Sequence, residues 1–247
     1  MSQVKTETLY RRWLAGRPDL DPGAWREIRD DLAPRQAAKR ADVHQRASGG
    51  ELAAQPYVFC PLQVPGDSQI TVFGDWVGSV AEMIDHVVAA SAALPEGWHV
   101  RIKEHPSADR SFAGQIAARP GARVVLDNDT NTMDQVAAAR AVLTINSSVG
   151  FESLFFDKPV IVLGQAFYAI HGIATVAASR AALEQCLARP EALDFDPGLR
   201  DAFMSYVTQV QFPREDDVIA GRTDLGDLVA RDRARDALLA DLGVLEN

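Results

Sequence analysis

The chain has 247 residues, enough to bury a full hydrophobic core as one large domain or two small ones. Its 25 Lys and Arg against 34 Asp and Glu give a formal net charge of -9, which argues against broad attraction to nucleic acid and leaves an anionic ligand in need of local donors. Cys60 and Cys186 lie far apart with no CxxC or Cys/His spacing, so they read as buried cytosolic thiols and no metal site is expected.

The N-terminus has no signal-peptide core, and no run of about 18 apolar residues could span a bilayer. The expectation is a soluble, cytoplasmic protein. Residues 1–54 are polar, helix-favouring and broken by Pro18, Pro22 and Pro34, with modest apolar faces at Trp13, Leu14, Trp25, Ile28 and Leu32. The basic run Arg35 to Arg46, closed by Ser48-Gly49-Gly50, reads as a solvated helix and linker, with peripheral membrane or phosphate contact as the alternative. The division expected is an N-terminal helical segment over 1–54 and an α/β domain over 55–247.

From Pro56 the character changes. Tyr57-Val58-Phe59-Cys60-Pro61-Leu62 is a compact apolar strand, followed by Pro65-Gly66-Asp67-Ser68, which is strong turn chemistry. Val80, Met83, Ile84, Val87, Val88, Ser91 and Leu94 form an i, i+3, i+4, i+7 stripe that predicts an amphipathic helix over 78–94. His99 to Lys103 reads as the next strand and delivers Glu104-His105-Pro106 to its carboxyl end. Helix 111–118, strand 122–126, the polar loop 127–131 and helix 132–140 follow, the last with a Thr132-x-x-Gln135 capping box.

Ala141 to Gly164 reads as strand, turn, helix, strand. Ala141 to Ile145 is a buried strand, Phe151, Leu154 and Phe155 recur at helical spacing, and Pro159 ends the helix before the strand at Val160 to Leu163. Helix 180–188 and a mainly helical tail from Pro197 complete the chain. Strands separated by helices of this length imply a doubly wound parallel sheet, Rossmann-like.

In such a sheet the turn Asn146-Ser147-Ser148-Val149-Gly150 lies at the carboxyl edge, where ligands bind and a new helix points its free N–H groups. Ser147 and Ser148 then either hold a phosphate or simply cap the helix, and Gly150 would let a ligand approach the backbone. A carboxylate at Asp67, an imidazole at His105 and this cradle suit group transfer from a phosphorylated or nucleotide-linked donor. Neither GxGxxG nor a Walker loop is present. The turn also comes near a GxSxG nucleophile elbow, with Ser148 in the serine position, but Asn146 stands where glycine is expected and an acid partner followed by His171 would leave little chain for a triad.

Pro61-Leu62-Gln63-Val64-Pro65-Gly66-Asp67-Ser68-Gln69-Ile70, Lys103-Glu104-His105-Pro106, and Ile145 to Glu152 with Lys158-Pro159-Val160 together resemble the bacterial capsule polysaccharide biosynthesis and export family, which includes β-Kdo glycosyltransferases. The resemblance runs from about Pro56 to Gly172. It implies half of a GT-B type enzyme using CMP-Kdo or another nucleotide sugar and no further cofactor. By it, His105, Ser147 and Ser148 would hold the CMP phosphate, and Asp67 would be the nucleophile of a retaining transfer or the base of an inverting one. Glu152 would bind ribose hydroxyls or remain a surface carboxylate, and Gln63 and Gln69 would line the pocket or satisfy turn backbone. The acceptor would be a glycolipid or oligosaccharide. Because about 54 residues precede the first strand, the acceptor lobe is expected to be missing, which leaves open a donor-binding or assembly module completed by a partner subunit or a second copy.

Overall fold

The apolar runs of the sequence pair into a parallel sheet. In the computed structural model, which describes residues 3–16, 49–212, 218–222, 226, 229–230, 232–234 and 236–237, its strands are β1 (Tyr57–Pro61), β2 (His99–Lys103), β3 (Val124–Leu126), β4 (Ala141–Thr144), β5 (Val160–Val162) and β6 (Ala174–Val176). They stand in the order β3-β2-β1-β4-β5-β6 with every neighbouring pair parallel. Successive strands run outward from β1 on one side and from β4 on the other. That reversal is a topological switch point, and its crevice opens at the carboxyl ends of β1 and β4.

The helices are α1 (Gln3–Ala15), α2 (Gly49–Ala53), α3 (Ser68–Phe73), α4 (Val80–Ala90), α5 (Ala113–Ala117), α6 (Thr132–Ala138), α7 (Ser148–Ser153), α8 (Arg180–Ala188) and α9 (Pro197–Tyr206) among the described residues. One face of the sheet, carrying Val58, Cys60, Val100, Ile102, Leu143 and Ile161, packs against the Met83, Ile84 and Val87 stripe of α4 and against Ile116, Leu183 and Leu187. The other face carries Tyr57, Phe59 and Val142 against Met133 and Val136 of α6, and Val160 and Val162 against Leu154, Tyr168 and Phe203. Each fully buried aliphatic side chain of these layers is worth roughly 1.5–3 kcal/mol. This is the doubly wound architecture expected.

The structure departs from the sequence reading in several places. Ser68, read as the last residue of the Pro65-Gly66-Asp67-Ser68 turn, starts α3, and the edge strand β6 was not expected. Gly49 and Gly50, read as linker, open α2. Asn131 rather than Thr132 caps α6, its side chain accepting from Met133 N–H at 2.8 Å, while Gln135 Nε2 turns to the carbonyls of Asp127 and Thr130. The amphipathic helix is Val80–Ala90, capped by the Ser79 hydroxyl and continued by a 3-10 turn Ser91–Ala93. Trp25, Ile28, Leu32 and the basic run Arg35 to Arg46 lie outside the described residues. The tail expected to be helical is so over α9 and a π-helical turn, Val207–Gln211. No helix of the described residues is long and apolar enough to cross a membrane.

Candidate functional site

Pro61 of β1 stands opposite Lys103 of β2, and Leu62 N–H donates to the Lys103 carbonyl at 2.8 Å. The loops carrying Asp67 and His105 therefore leave the same edge of the sheet side by side, and the Asn146–Gly150 turn leaves β4 on the other flank of β1. All three sequence motifs meet along one edge.

At the switch point, Gln63 and Asn146 clasp each other across the gap between β1 and β4. Gln63 Nε2 donates to Asn146 Oδ1 at 2.9 Å, and Asn146 N–H donates to Gln63 Oε1 at 3.2 Å. Asn146 Nδ2 also donates to the carbonyls of Gln69 and Phe73, at 2.9 and 3.2 Å. Asn146 thus pins α3 over the crevice, and α3 is pinned again where Gln165 N–H donates to the Phe73 carbonyl. Gln63 is buried and braces the switch point. Gln69 is exposed, and its contribution to the clasp is its backbone carbonyl.

Asp67 follows a turn whose Gly66 holds φ of 81°, a conformation that favours glycine. Its Oδ1 accepts from Gln69 N–H at 2.8 Å and caps α3. Asp67 is half-exposed.

The β2 loop is built differently. Lys103 is buried, and its ammonium donates to the carbonyls of Asn128 and Thr130 at 2.6 and 2.7 Å. Glu104 accepts from Ser111 Oγ at 2.9 Å, from Phe112 N–H, and from Asn128 Nδ2 at 2.7 Å. Beneath this loop, burial alone would raise the Asp127 carboxyl, but the hydroxyl and amide of Thr130 and the guanidinium of Arg101 bring it down to about 2. Arg101 donates to it at 2.6 and 3.1 Å.

On this platform His105 is half-exposed, and its Nδ1 accepts from Ser107 N–H at 3.1 Å. A neutral ring so held carries its proton on Nε2, as a donor. His105 lines a cleft of about 480 Å³ with Glu104, Arg110, Ser111 and Asn128. Asp67, Ser147 and Ser148 do not line it: they belong to the segments that follow β1 and β4.

At the β4 turn, Ser147 is the cap of α7, its hydroxyl accepting from Val149 N–H at 3.2 Å, while Ser147 N–H donates to Thr144 Oγ1. A hydroxyl that accepts in this way keeps its own proton to donate. Ser148 is exposed, and its hydroxyl takes no part in the cap.

Gly150 has a reason other than the one read from sequence. A Cβ there would lie 2.3 Å from the Tyr168 hydroxyl and 3.0 Å from Thr144 Cγ2, so the space a ligand would need is filled by Tyr168. Tyr168 donates to the Ser147 carbonyl at 2.6 Å. Burial pushes its phenol up, as does the neighbouring carboxylate of Glu152, so it stays a donor. Glu152 is half-buried beside it.

The hydrolase reading is overturned by topology. His171 precedes β6 and so lies at the amino edge, in an exposed pair with Asp194 at 3.0 Å, whereas Ser148 follows β4 at the carboxyl edge. Among the described residues no group of His, Cys, Asp and Glu is disposed to hold a metal ion.

A model of the capsule polysaccharide biosynthesis protein family matches residues 25–214, well over half of the chain. The chain belongs to that family. Beyond the Pro56 to Gly172 span of the motifs, the match reaches past α9 and toward the N-terminus. Among curated relatives, protein FixF of Sinorhizobium fredii (strain NBRC 101917 / NGR234) is 42% identical over 120 residues, 49% of this chain and 29% of FixF. The capsule polysaccharide export protein KpsS of Escherichia coli is 33% identical over 131 residues, 48% of this chain and 32% of KpsS. The family member described here thus matches less than a third of the length of either relative. Among solved structures, the KpsC β-Kdo 2,7 transferase of Thermosulfurimonas dismutans is similar at 18% identity with a TM-score of 0.47, over 80% of this chain and 57% of that one.

Proposed function

We propose that this member of the capsule family binds a nucleotide sugar at the carboxyl edge of its sheet and transfers the sugar to a glycolipid or oligosaccharide acceptor, with CMP-Kdo as the donor the motif resemblance favours. The observation that carries the reading is that Asp67, His105 and the Ser147-Ser148 turn follow the adjacent strands β1, β2 and β4, whose order in the sheet is β2-β1-β4, on one edge. In it, His105 Nε2–H and the two hydroxyls donate to the phosphate oxygens of the donor. Asp67 Oδ2 attacks the anomeric carbon of Kdo. The bond from that carbon to the CMP phosphate oxygen breaks, and CMP leaves with the electron pair. The acceptor hydroxyl then displaces Asp67 from the glycosyl ester and passes its proton to solvent water, leaving the carboxylate free, with net retention. Oδ1, engaged with Gln69 N–H, would hold the carboxylate in place.

Asp67→Asn separates chemistry from fold, because asparagine caps a helix about as well as aspartate. The variant is expected to bind CMP in a calorimetric titration like the wild type while radiolabelled transfer from CMP-Kdo falls on the order of 10²–10⁴-fold. Unchanged turnover removes Asp67 from the reaction.

A second reading, a donor-binding module without turnover, draws on the same cap: Asp67 already has a structural task in α3. Its signature is CMP binding by the wild type with no transfer to any acceptor fraction.

A further inference from the structure

We propose that Glu104 is the positioning residue that holds His105, and with it the Arg110 side of the cleft, in one presentation; as a statement about donor binding, this rests on the nucleotide-sugar reading above. Between residues 104 and 112 the chain leaves the sheet and folds back to enter α5, and a single carboxylate closes this loop at its neck. Oε1 takes Ser111 Oγ at 2.9 Å and Phe112 N–H, from the far end of the loop. Oε2 takes Asn128 Nδ2 at 2.7 Å, and Glu104 N–H donates back to Asn128 Oδ1 at 2.9 Å. Lys103 holds the other side of Asn128 by its carbonyl, at 2.6 Å. Three donors converge on one carboxylate, more than a solvated surface glutamate recruits. Charge-assisted bonds of this kind are about twice as strong as neutral ones.

Inside the closed loop little freedom remains. Ala108 N–H donates to the His105 carbonyl at 2.9 Å, and Ser107 N–H donates to His105 Nδ1 at 3.1 Å. Arg110 lies over the Phe112 ring at 5.2 Å, the same residue whose amide Glu104 grips. Glu104 touches none of the reacting groups in this arrangement. It acts through the loop, which fixes the ring of His105 and thereby the nitrogen that carries the proton.

The Asn128 amide makes the proposal testable by exchange. In Glu104→Gln, the glutamine oxygen can serve Ser111 and Phe112, but its NH2 then faces Asn128 Nδ2. Turning the Asn128 amide over moves the conflict to the backbone N–H of residue 104. One donor faces another in either orientation. Asn128→Asp sets two carboxylates against each other instead. The double variant Glu104→Gln/Asn128→Asp restores every pairing, because the new carboxylate accepts both from the residue-104 backbone N–H and from the glutamine NH2.

The measurement is the long-range proton–nitrogen spectrum of the His105 ring in each ligand-free protein, with a calorimetric titration of CMP on the same samples. The wild type is expected to show the Nε2–H form. Each single variant is expected to show averaging of the two forms and CMP binding weakened about tenfold, and the double variant to recover both. An unchanged ring spectrum in a folded Glu104→Gln protein overturns the positioning role, as does a double variant that is folded yet still averaged. If the ring responds as expected but the wild type binds no CMP, the positioning role is supported and the nucleotide reading falls.

Discussion

His99 opens β2 at the amino edge, buried against the ring of Tyr57 at 5.5 Å, and among the described residues neither of its ring nitrogens has a hydrogen-bond partner. Burial, and then the positive charge of Arg101, lower its pKa. The folded protein therefore keeps this imidazole neutral, while the unfolded chain takes up a proton as pH falls below about 6.5. The unfolded state binds more protons there, so stability present above that pH is lost as the pH drops toward the lowered folded value. His99→Phe keeps an aromatic face for Tyr57 and removes two unsatisfied polar atoms. Urea denaturation is expected to show the wild type losing stability between pH 7.5 and 5.5, and His99→Phe losing less. An equal loss in both would place the pH dependence elsewhere, with the Asp127 carboxyl excluded because at about 2 it titrates far lower.

Helix α7 shows how a six-residue element can be specified from outside itself. Its cap and first turn are held by Ser147, but its approach to the sheet is set by Tyr168, which fills the space above Gly150. Gly150→Ala forces the new methyl against a buried hydroxyl and is expected to cost about 1–3 kcal/mol. Tyr168→Phe, which leaves the Ser147 carbonyl without that donor, is expected to cost about 1 kcal/mol. Because the two side chains contend for one volume, the double variant should cost less than the two separate losses together in urea denaturation. Strict additivity would mean that Tyr168 moves aside freely. The same logic explains which elements were readable in the sequence. α4 carries its own 3.6-residue stripe and its own cap, so local pattern suffices. α3 is SQITVF, rich in β-branched residues and held by Asn146, which lies 77 and 73 residues away from the carbonyls it binds. β6 spans three residues, in an alanine-rich stretch, Ile173 to Ala178, that does not by itself separate strand from helix. In the candidate site, His105 and the serines were legible as residues at strand ends. The bonds that build the site around them, Glu104 to Asn128, Gln63 to Asn146 and Tyr168 to Ser147, were not, since nothing near these residues in sequence announces a partner 24, 83 or 21 residues distant.

Across the molecule, the reversal of strand order at β1 and β4 assembles the carboxyl edge, and the layers on both faces keep that edge in register. The outer layer beside β5 is completed by the first described helix of the chain. Tyr10 of α1 is fully buried, packs edge-on against Phe203 at 5.4 Å and against Tyr206 at 5.9 Å, and donates to the Leu199 carbonyl at 3.0 Å. Trp13 adds a contact with Tyr206 at 5.5 Å. The segment read from sequence as a polar preface thus supplies core to α9, and α9 in turn ties back to the sheet. Buried Arg200 donates to the Leu154 carbonyl at 2.5 Å and to Asp157, at the end of the helical stretch that follows α7. A continuous path of packing therefore leads from α1 through α9 to the end of the β4–α7 unit. Truncating Tyr10 should be felt as a core lesion rather than as the loss of a surface helix: Tyr10→Ala is expected to cost about 3–5 kcal/mol. Tyr10→Phe, which keeps the ring and drops one hydrogen bond, should cost about 1 kcal/mol. Urea denaturation of the full chain reads both, and a Tyr10→Ala loss no greater than that of Tyr10→Phe would show that α1 rests on α9 without completing its core.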